Sequence, residues 1–233
     1  MRAGDGMTKA SFRLNGNQLK LIAMVAMTAD HVGLQLLPQW GFLRIIGRLA
    51  MPLYAYMIAE GCRYTRSRGR YFGSVALMGL GCQIVYFFFM GSLYQCILVT
   101  FSLSIGLIYL MDRAQGAWKI PVALVGTATV WFLTEMLPGM LPATDFRIDY
   151  DFWGVMLPVL IYLGKDRPKA LLMSAIGVAL LGAHFGGNQW FGLLTVPLLA
   201  LYDGTRGKAN IKRLFYLYYP AHLGAIYLLS LLL

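Results

Sequence analysis

The chain is a succession of long apolar blocks joined by short polar segments, and the blocks lack the one-sided spacing of an amphipathic helix. A helix that is apolar on every face has no stable place at a water-facing surface. Each block therefore calls for hydrocarbon around it, and a bilayer core about 30 Å thick takes roughly 20 such residues per helix. The pattern predicts an all-α, polytopic membrane helix bundle of about nine transmembrane helices, at 18–37, 41–62, 72–90, 94–112, 118–137, 151–164, 168–184, 189–203 and 213–233. The sixth and eighth are short, and either spans or re-entrant segments would fit them. Composition closes off the soluble alternative: with 58% hydrophobic and only 13% charged residues, there is too little charge to cover a water-facing surface.

Charge placement sets an expected orientation. The formal net charge is +10, but the basic residues are not interleaved with aromatics as a nucleic-acid interface requires; they sit between the apolar blocks. With the N-terminus cytoplasmic, 17 of the 20 Lys and Arg residues fall on inner segments, while the outer loops hold only Arg147, among Asp145, Asp149 and Asp151. That asymmetry is what the positive-inside rule describes, and it places the C-terminus outside. The expected organisation is a cytoplasmic N-terminal segment over 1–17 and a single transmembrane domain over 18–233. No small-residue cleavage site follows the polar start, so no cleaved signal peptide is expected. Three cysteines without a CxxC spacing argue against a disulfide framework or a metal site. There is no inverted repeat of the transporter kind. The loop before Tyr150, with prolines and acidic residues, has the character of an ordered cap or lid.

Ionisable residues inside the apolar blocks are the candidates for function, because each costs several kcal/mol unless it pairs or lines a cavity. The first span carries Asp30 and His31; the second carries Arg44 and Arg48, one turn apart on one face. At about 1.5 Å per residue, His31 lies roughly 20 Å from the inner edge, and Arg48 lies at the same level on the neighbouring helix. Adjacent residues on a helix point in different directions, so Asp30 is expected to pair with Arg44 or Arg48 and leave His31 free to act. A structural ion pair beside a hydrogen-bonded histidine is the alternative. Near the inner edge, Lys20, Glu60, Arg63 and Arg66 form a cationic mouth. Snorkelling and topology explain such residues, as does a site for an anionic cytoplasmic ligand such as the phosphates of a cofactor. The last span holds Tyr216, Tyr218, Tyr219, Pro220 and His222, where His222 either lines the passage or is a satisfied core histidine.

The stretch Lys20-Leu-Ile-Ala-Met-Val-Ala-Met-Thr-Ala-Asp30-His31 resembles the TraX family, whose type is an F-pilin N-acetylase. The resemblance continues through Leu43-Arg44-Ile-Ile-Gly47-Arg48-Leu-Ala-Met-Pro52, Ile58-Ala-Glu60-Gly61, Tyr150-Asp151-Phe-Trp-Gly154-Val, Leu201-Tyr202-Asp203-Gly204 with Arg206-Gly207, and Phe215-Tyr216-Leu-Tyr218-Tyr219-Pro220-Ala-His222. The spacing from Lys20 to His31 is also similar to the opening motif of the acyltransferase-3 group.

The resemblance implies an acetyltransferase of the bacterial cytoplasmic membrane, taking acetyl-CoA from the cytoplasm and modifying an acceptor protein or small molecule at the outer face. It implies His31 as the catalytic residue, Asp30, Arg44 and Arg48 as its site partners, and Lys20 as a cofactor-facing residue. Glu60, Arg63 and Arg66 at the inner mouth, with Tyr219 and His222 on the last span, complete the expected cofactor-binding set. Imidazole suits a general base because it titrates near neutrality. Arg44 or Arg48 would steady a developing oxyanion. A covalent acetyl-histidine step remains open. Two rival classes share the same residues: a small-molecule transporter or flippase using the buried charges as a path, and a scaffold in which they only join helices.

Overall fold

A computed structural model describes residues 13–209 and 212–232, without the side chains of Lys212, Arg213, Phe215 and Tyr216. Most of the expected N-terminal segment (1–12 of 1–17) lies outside the described residues. Among these residues every regular element is helical, and the only β features are the isolated bridges Leu14–Tyr202 and Gln95–Ile148.

Local chemistry explains where the helices begin and break. α1 (Gly16–Gln35) opens on a capping box in which Asn15 Oδ1 accepts from Gln18 N at 3.0 Å and Gln18 Oε1 accepts from Asn15 N at 2.9 Å. α2 (Gly41–Gly47) and α3 (Ala50–Tyr64) occupy the region expected as one uninterrupted second span, separated by Arg48 and Leu49. Pro52 accounts for the break: it has no N–H for the carbonyl of Arg48, four residues earlier, and its ring crowds that carbonyl. α4 (Arg68–Met90) ends at Gly91, whose φ of 62° is the left-handed turn that glycine adopts freely. α5 (Ile97–Arg113) follows, then α6 (Lys119–Trp131), a π turn at Phe132–Met136 and α7 (Leu137–Met140). α8 (Asp151–Leu163) leads to α9 (Arg167–Phe185), which is capped by Asp166. A 3-10 segment (Gly187–Leu194), the short α10 (Thr195–Ala200) and α11 (Lys212–Ser230) complete the chain.

α8 is the hub. Its Val155, Leu157, Val159 and Ile161 are essentially without solvent exposure, packed among α3, α5 and α9. Arg63 of α3 seals the end of this helix by donating to the carbonyls of Ile161 at 2.7 Å, Tyr162 at 2.9 Å and Gly164. Such terminal carbonyls have no partner within their own helix. By contrast α4 and α6 turn large apolar side chains outward, among them Leu77, Phe88, Phe89, Leu124 and Val125. An apolar surface of that extent is stable against lipid and unstable against water.

The expected count of nine spans is corrected here. Among the described residues, four segments are helices long and apolar enough to cross a membrane: Gly41–Tyr64, Arg68–Met90, Gly116–Met140 and Arg167–Phe185, with mean hydropathy between 1.3 and 1.7. α8 is apolar but only 13 residues long. The eighth expected span, 189–203, is a 3-10 run followed by a six-residue helix and is not one continuous α-helix. α1 is long enough but carries Lys20, Asp30 and His31, which dilute its apolar character.

The cap-like loop is anchored to its neighbour. Gln95 N donates to Arg147 O at 2.8 Å, Asp149 N donates to Gln95 O at 3.0 Å, and Ser92 Oγ donates to Asp145 at 2.5 Å. The loop enters α8 through two consecutive left-handed residues, Tyr150 (φ 60°) and Asp151 (φ 49°). Non-glycine residues rarely adopt that region. Gly154 makes room for this turn, since a Cβ there would lie 2.3 Å from Tyr150 Cβ. Gly154→Ala should therefore lower stability by about 1–3 kcal/mol through overpacking. Gly81→Ala in α4, where an added methyl meets nothing within 4 Å, should be neutral or slightly stabilising. Thermal unfolding of the two variants in detergent micelles checks both, and equal midpoints would refute the role given to Gly154.

Candidate functional site

Two glycines let α1 and α2 approach until their backbones nearly touch. A Cβ on Gly47 would lie 2.1 Å from Asp30 Oδ1, and a Cβ on Gly33 would lie 2.8 Å from Leu43 Cβ. Asp30 fills the space at Gly47 and pairs with both arginines of the facing element, Arg44 Nη1 at 2.8 Å and Arg48 Nη2 at 2.5 Å. Arg44 Nη1 also donates to the Asp30 carbonyl at 3.2 Å, and Arg48 Nε donates to the Arg44 carbonyl at 3.3 Å. The three side chains are 13–29% exposed. Arg48 makes one further bond, from Nη1 to Gln189 Oε1 at 3.0 Å.

His31, the next residue on α1, turns the other way. Its Nδ1 lies 2.9 Å from the Met27 carbonyl and 3.4 Å from Nε2 of His222. The two rings meet edge to face, with centroids 5.1 Å apart and planes at 62°. His222 in turn places its Nδ1 3.0 Å from the Tyr218 carbonyl. A carbonyl can only accept, so each Nδ1 carries a proton and each Nε2 keeps a lone pair. The proton on His31 Nδ1 is shared between the Met27 oxygen and the lone pair of His222 Nε2. In the neutral ring His31 Nε2 then keeps the lone pair, and it has no hydrogen-bond partner among the described residues. Around this pair, Tyr218 stacks on His222 at 5.1 Å and its hydroxyl meets Thr28 Oγ1 of α1, while Tyr219 packs its edge against His222 at 5.6 Å. Tyr219 and His222 are both buried. The structure thus groups His222 of the last helix with His31 of the first.

A third element reaches the same cluster, and sequence reasoning missed it as a site. Asp149 and Tyr150 of the cap loop lie within electrostatic reach of both Asp30 and Arg48. Asp149 is half-buried as a residue, but its carboxyl is enclosed and accepts from Tyr94 Oη at 2.6 Å. Burial pushes that carboxyl up to about 6, against the opposing pull of the Tyr94 hydroxyl and the Arg48 guanidinium. Asp151 behind it is held bidentately by Arg147 at 2.8 and 2.6 Å, and Glu135 accepts from Phe152 N at 3.1 Å. The acidic composition of the loop was the available signal.

At the opposite end, the loop 201–209 folds over the start of α1. Thr205 O accepts from Gly16 N at 2.7 Å, Arg206 O from Asn17 N at 3.1 Å, and Ala209 O from Asn17 Nδ2 at 2.6 Å. Gly204 and Gly207 make the turn at φ of 80° and 86°. This brings Arg206 within electrostatic reach of Lys20. Glu60 pairs with Arg63 at 3.1 Å and accepts a hydrogen bond from Tyr202. The donors of Arg63 are committed to Glu60 and to the end of α8, and Arg66 is exposed on the joint between α3 and α4. Cys62, Cys82 and Cys96 are free and buried, and no grouping of three potential metal ligands occurs among the described residues.

The raised Asp149 value fixes the sign of a pH effect. The stability that this carboxyl contributes is fully present below its ordinary value of 3.8 and is lost as pH rises through about 6, where it must ionise inside the protein. Asp149→Asn removes that titration. The unfolding midpoint of the wild-type protein relative to the variant should fall between about pH 4 and 6 and level off above. A difference that stays flat across that interval would show that the carboxyl is not enclosed.

The family described as TraX protein matches residues 15–230, from the cap of α1 to the end of α11. The chain is 28% identical over 246 residues to the probable fimbrial assembly protein FimC, serogroup H1, of Dichelobacter nodosus, a match covering 90% of this chain and 93% of that protein. A shorter segment of 38 residues is 53% identical to an uncharacterized protein of Rickettsia prowazekii (strain Madrid E), covering 16% of this chain and 15% of that one. No solved structure matches the chain. With the family matched over nearly its whole length, the chain belongs to the TraX family.

Proposed function

We propose that this chain is a membrane acyltransferase that moves an acetyl group from cytoplasmic acetyl-CoA to an amine or hydroxyl at the outer face of the bacterial cytoplasmic membrane. The observation that carries the reading is the His31 imidazole. Its Nδ1 is tied to the Met27 carbonyl and braced by His222, which leaves Nε2 as a base of fixed tautomer and orientation. The Lys20-to-His31 spacing, similar to that of acyltransferase-3 enzymes, is in keeping with this assignment. The fimbrial name of the relative suggests an acceptor of the pilin kind.

In this reading the N-terminus and the basic joints face the cytoplasm, and the cap loop faces outside. The concentration of 17 of 20 basic residues on one set of joints supports that arrangement. Lys20 and Arg206 would hold the phosphates of acetyl-CoA at the inner end: two like charges kept close to each other are stabilised by an anion between them. The group supplies an activated acyl carbon. His31 Nε2 removes the proton of the acceptor as that nucleophile attacks. Arg44 and Arg48 together carry two positive charges against the single negative charge of Asp30. Guanidinium donors beyond those that Asp30 and Gln189 accept would be available to an oxygen that gains negative charge during transfer.

Incubation of the purified protein with acetyl-labelled CoA and membrane extract should transfer label to one acceptor class. His31→Ala should reduce that transfer by about 10²–10⁴-fold, the usual worth of a positioned general base. The variant should remain inserted and keep the wild-type unfolding midpoint within a few degrees. His31→Ala protein that still transfers at the wild-type rate would end the proposal.

A further inference from the structure

Gln189 is 4% exposed and lies in the 3-10 segment 187–194, a run longer than that geometry usually sustains. The segment has little freedom to move. A Cβ on Gly182 of α9 would lie 2.7 Å from the Trp190 ring, and one on Gly192 would lie 3.0 Å from Val178 and 3.5 Å from the Arg48 carbonyl. Arg48 Nη1 donates to the Gln189 side chain at 3.0 Å. A guanidinium has no acceptor, so the atom facing it must be the amide oxygen, and this fixes the orientation of the amide. Nε2 is therefore turned away from the arginine contact. It is buried and has no hydrogen-bond acceptor among the described residues. A buried donor left unmatched is destabilising, whereas methionine would fill similar space without that penalty. The donor lies on a side chain bonded directly to Arg48, which binds Asp30, and His31 is itself within electrostatic reach of Arg48.

From this we infer that Gln189 Nε2 donates a hydrogen bond to the carbonyl oxygen of the transferred acyl group, making Gln189 a catalytic residue beside the Asp30–Arg48 pair. The inference rests on the acyl-transfer reading and names a further participant in it. As transfer proceeds, the acyl carbon forms a bond to the acceptor nitrogen or oxygen and breaks its bond to the CoA sulfur. The proton of the acceptor passes to His31 Nε2 and from there to the departing thiolate. The carbonyl oxygen carries the transient negative charge, and a neutral amide N–H next to a guanidinium suits an oxygen whose charge grows and then disappears. A donor fixed by Arg48 is already oriented before the charge develops.

Gln189→Glu keeps the oxygen that Arg48 binds and the shape of the side chain while removing the N–H donors. It should lower kcat for acetyl transfer by about 10²–10³-fold, with KM for acetyl-CoA changed by no more than a few-fold. Infrared difference spectra with carbonyl-labelled acetyl-CoA give an independent readout. The bound thioester C=O band should sit at lower frequency in the wild type and lose that shift in the variant. Gln189→Met serves for the same comparison if the glutamate variant does not fold. Wild-type kcat in Gln189→Glu, or a band at the same position in wild type and variant, overturns the role of Gln189 and leaves acyl transfer standing; either result would mark the amide as structural, satisfied by water. No bound carbonyl band in the wild type overturns both.

Discussion

Asp30 wedged against Gly47 is the interaction on which the rest of the structure depends. Among the described residues its carboxylate is the only anion in direct contact with Arg44 and Arg48, and it can be there only because residue 47 has no Cβ. Removing one partner of a buried ion pair typically costs about 3–5 kcal/mol, because the remaining charge is stranded. Here two guanidiniums would be stranded at once, with the 29% exposure of Arg44 moderating the loss. The same contact sets the rotation of α1. With Asp30 facing α2, residue 31 is turned about 100° around the helix, and it meets α11 there. The ion pair and the histidine pair are thus two consequences of one helix rotation.

α11 secures that rotation from the other side. Tyr218 touches Thr28 and stacks on His222, so the histidine that braces His31 is itself held by a contact to the same helix one turn away. In the proposed role of general base, an imidazole embedded among apolar helices is useful only if its tautomer is settled. Two backbone carbonyls, those of Met27 and Tyr218, settle it without any carboxylate. This differs from sites in which an acid orients the imidazole. It frees Asp30 to balance the arginines and leaves the cluster with a surplus of one positive charge until Asp149 ionises.

Much of this was legible in the sequence where the information is local. The apolar blocks announced a helical membrane protein, and charge inside two adjacent blocks singled out Asp30, His31, Arg44 and Arg48 because such residues are costly there. The break at Arg48 was also written in Pro52, but apolar periodicity does not register a missing N–H. What local patterns could not supply was pairing across the chain. His31 and His222 are 191 positions apart, and Arg48 and Gln189 are 141 apart. Arg63 looked like a ligand for phosphate because it stood among other arginines; its donors instead satisfy the last carbonyls of α8, nearly 100 residues away. That the eighth expected span is not one continuous α-helix was hidden because composition reports apolarity and not backbone geometry, and a 3-10 run is as apolar as a helix.

Three of the irregular stretches of backbone lie together. The interruption at Arg48–Leu49, the 3-10 run at Gly187–Leu194 and the left-handed pair Tyr150–Asp151 all converge on one guanidinium. Irregular backbone at membrane depth is tolerated only where it is buried in protein or lines a polar cavity, because its unpaired N–H and C=O groups find no partners in hydrocarbon. Strained residues persist where the surroundings over-determine them, and they cluster at functional sites. Three separate departures from ideal helix meeting at Arg48 argue that the fold gives up regularity there for a reason that helix packing alone does not provide. An ion pair meant only to join α1 to α2 would need Asp30 and one arginine on two intact helices. The broken α2–α3 joint, the cap loop and the buried amide add nothing to that task, whereas each adds a polar group of the kind that the proposed acyl transfer would use.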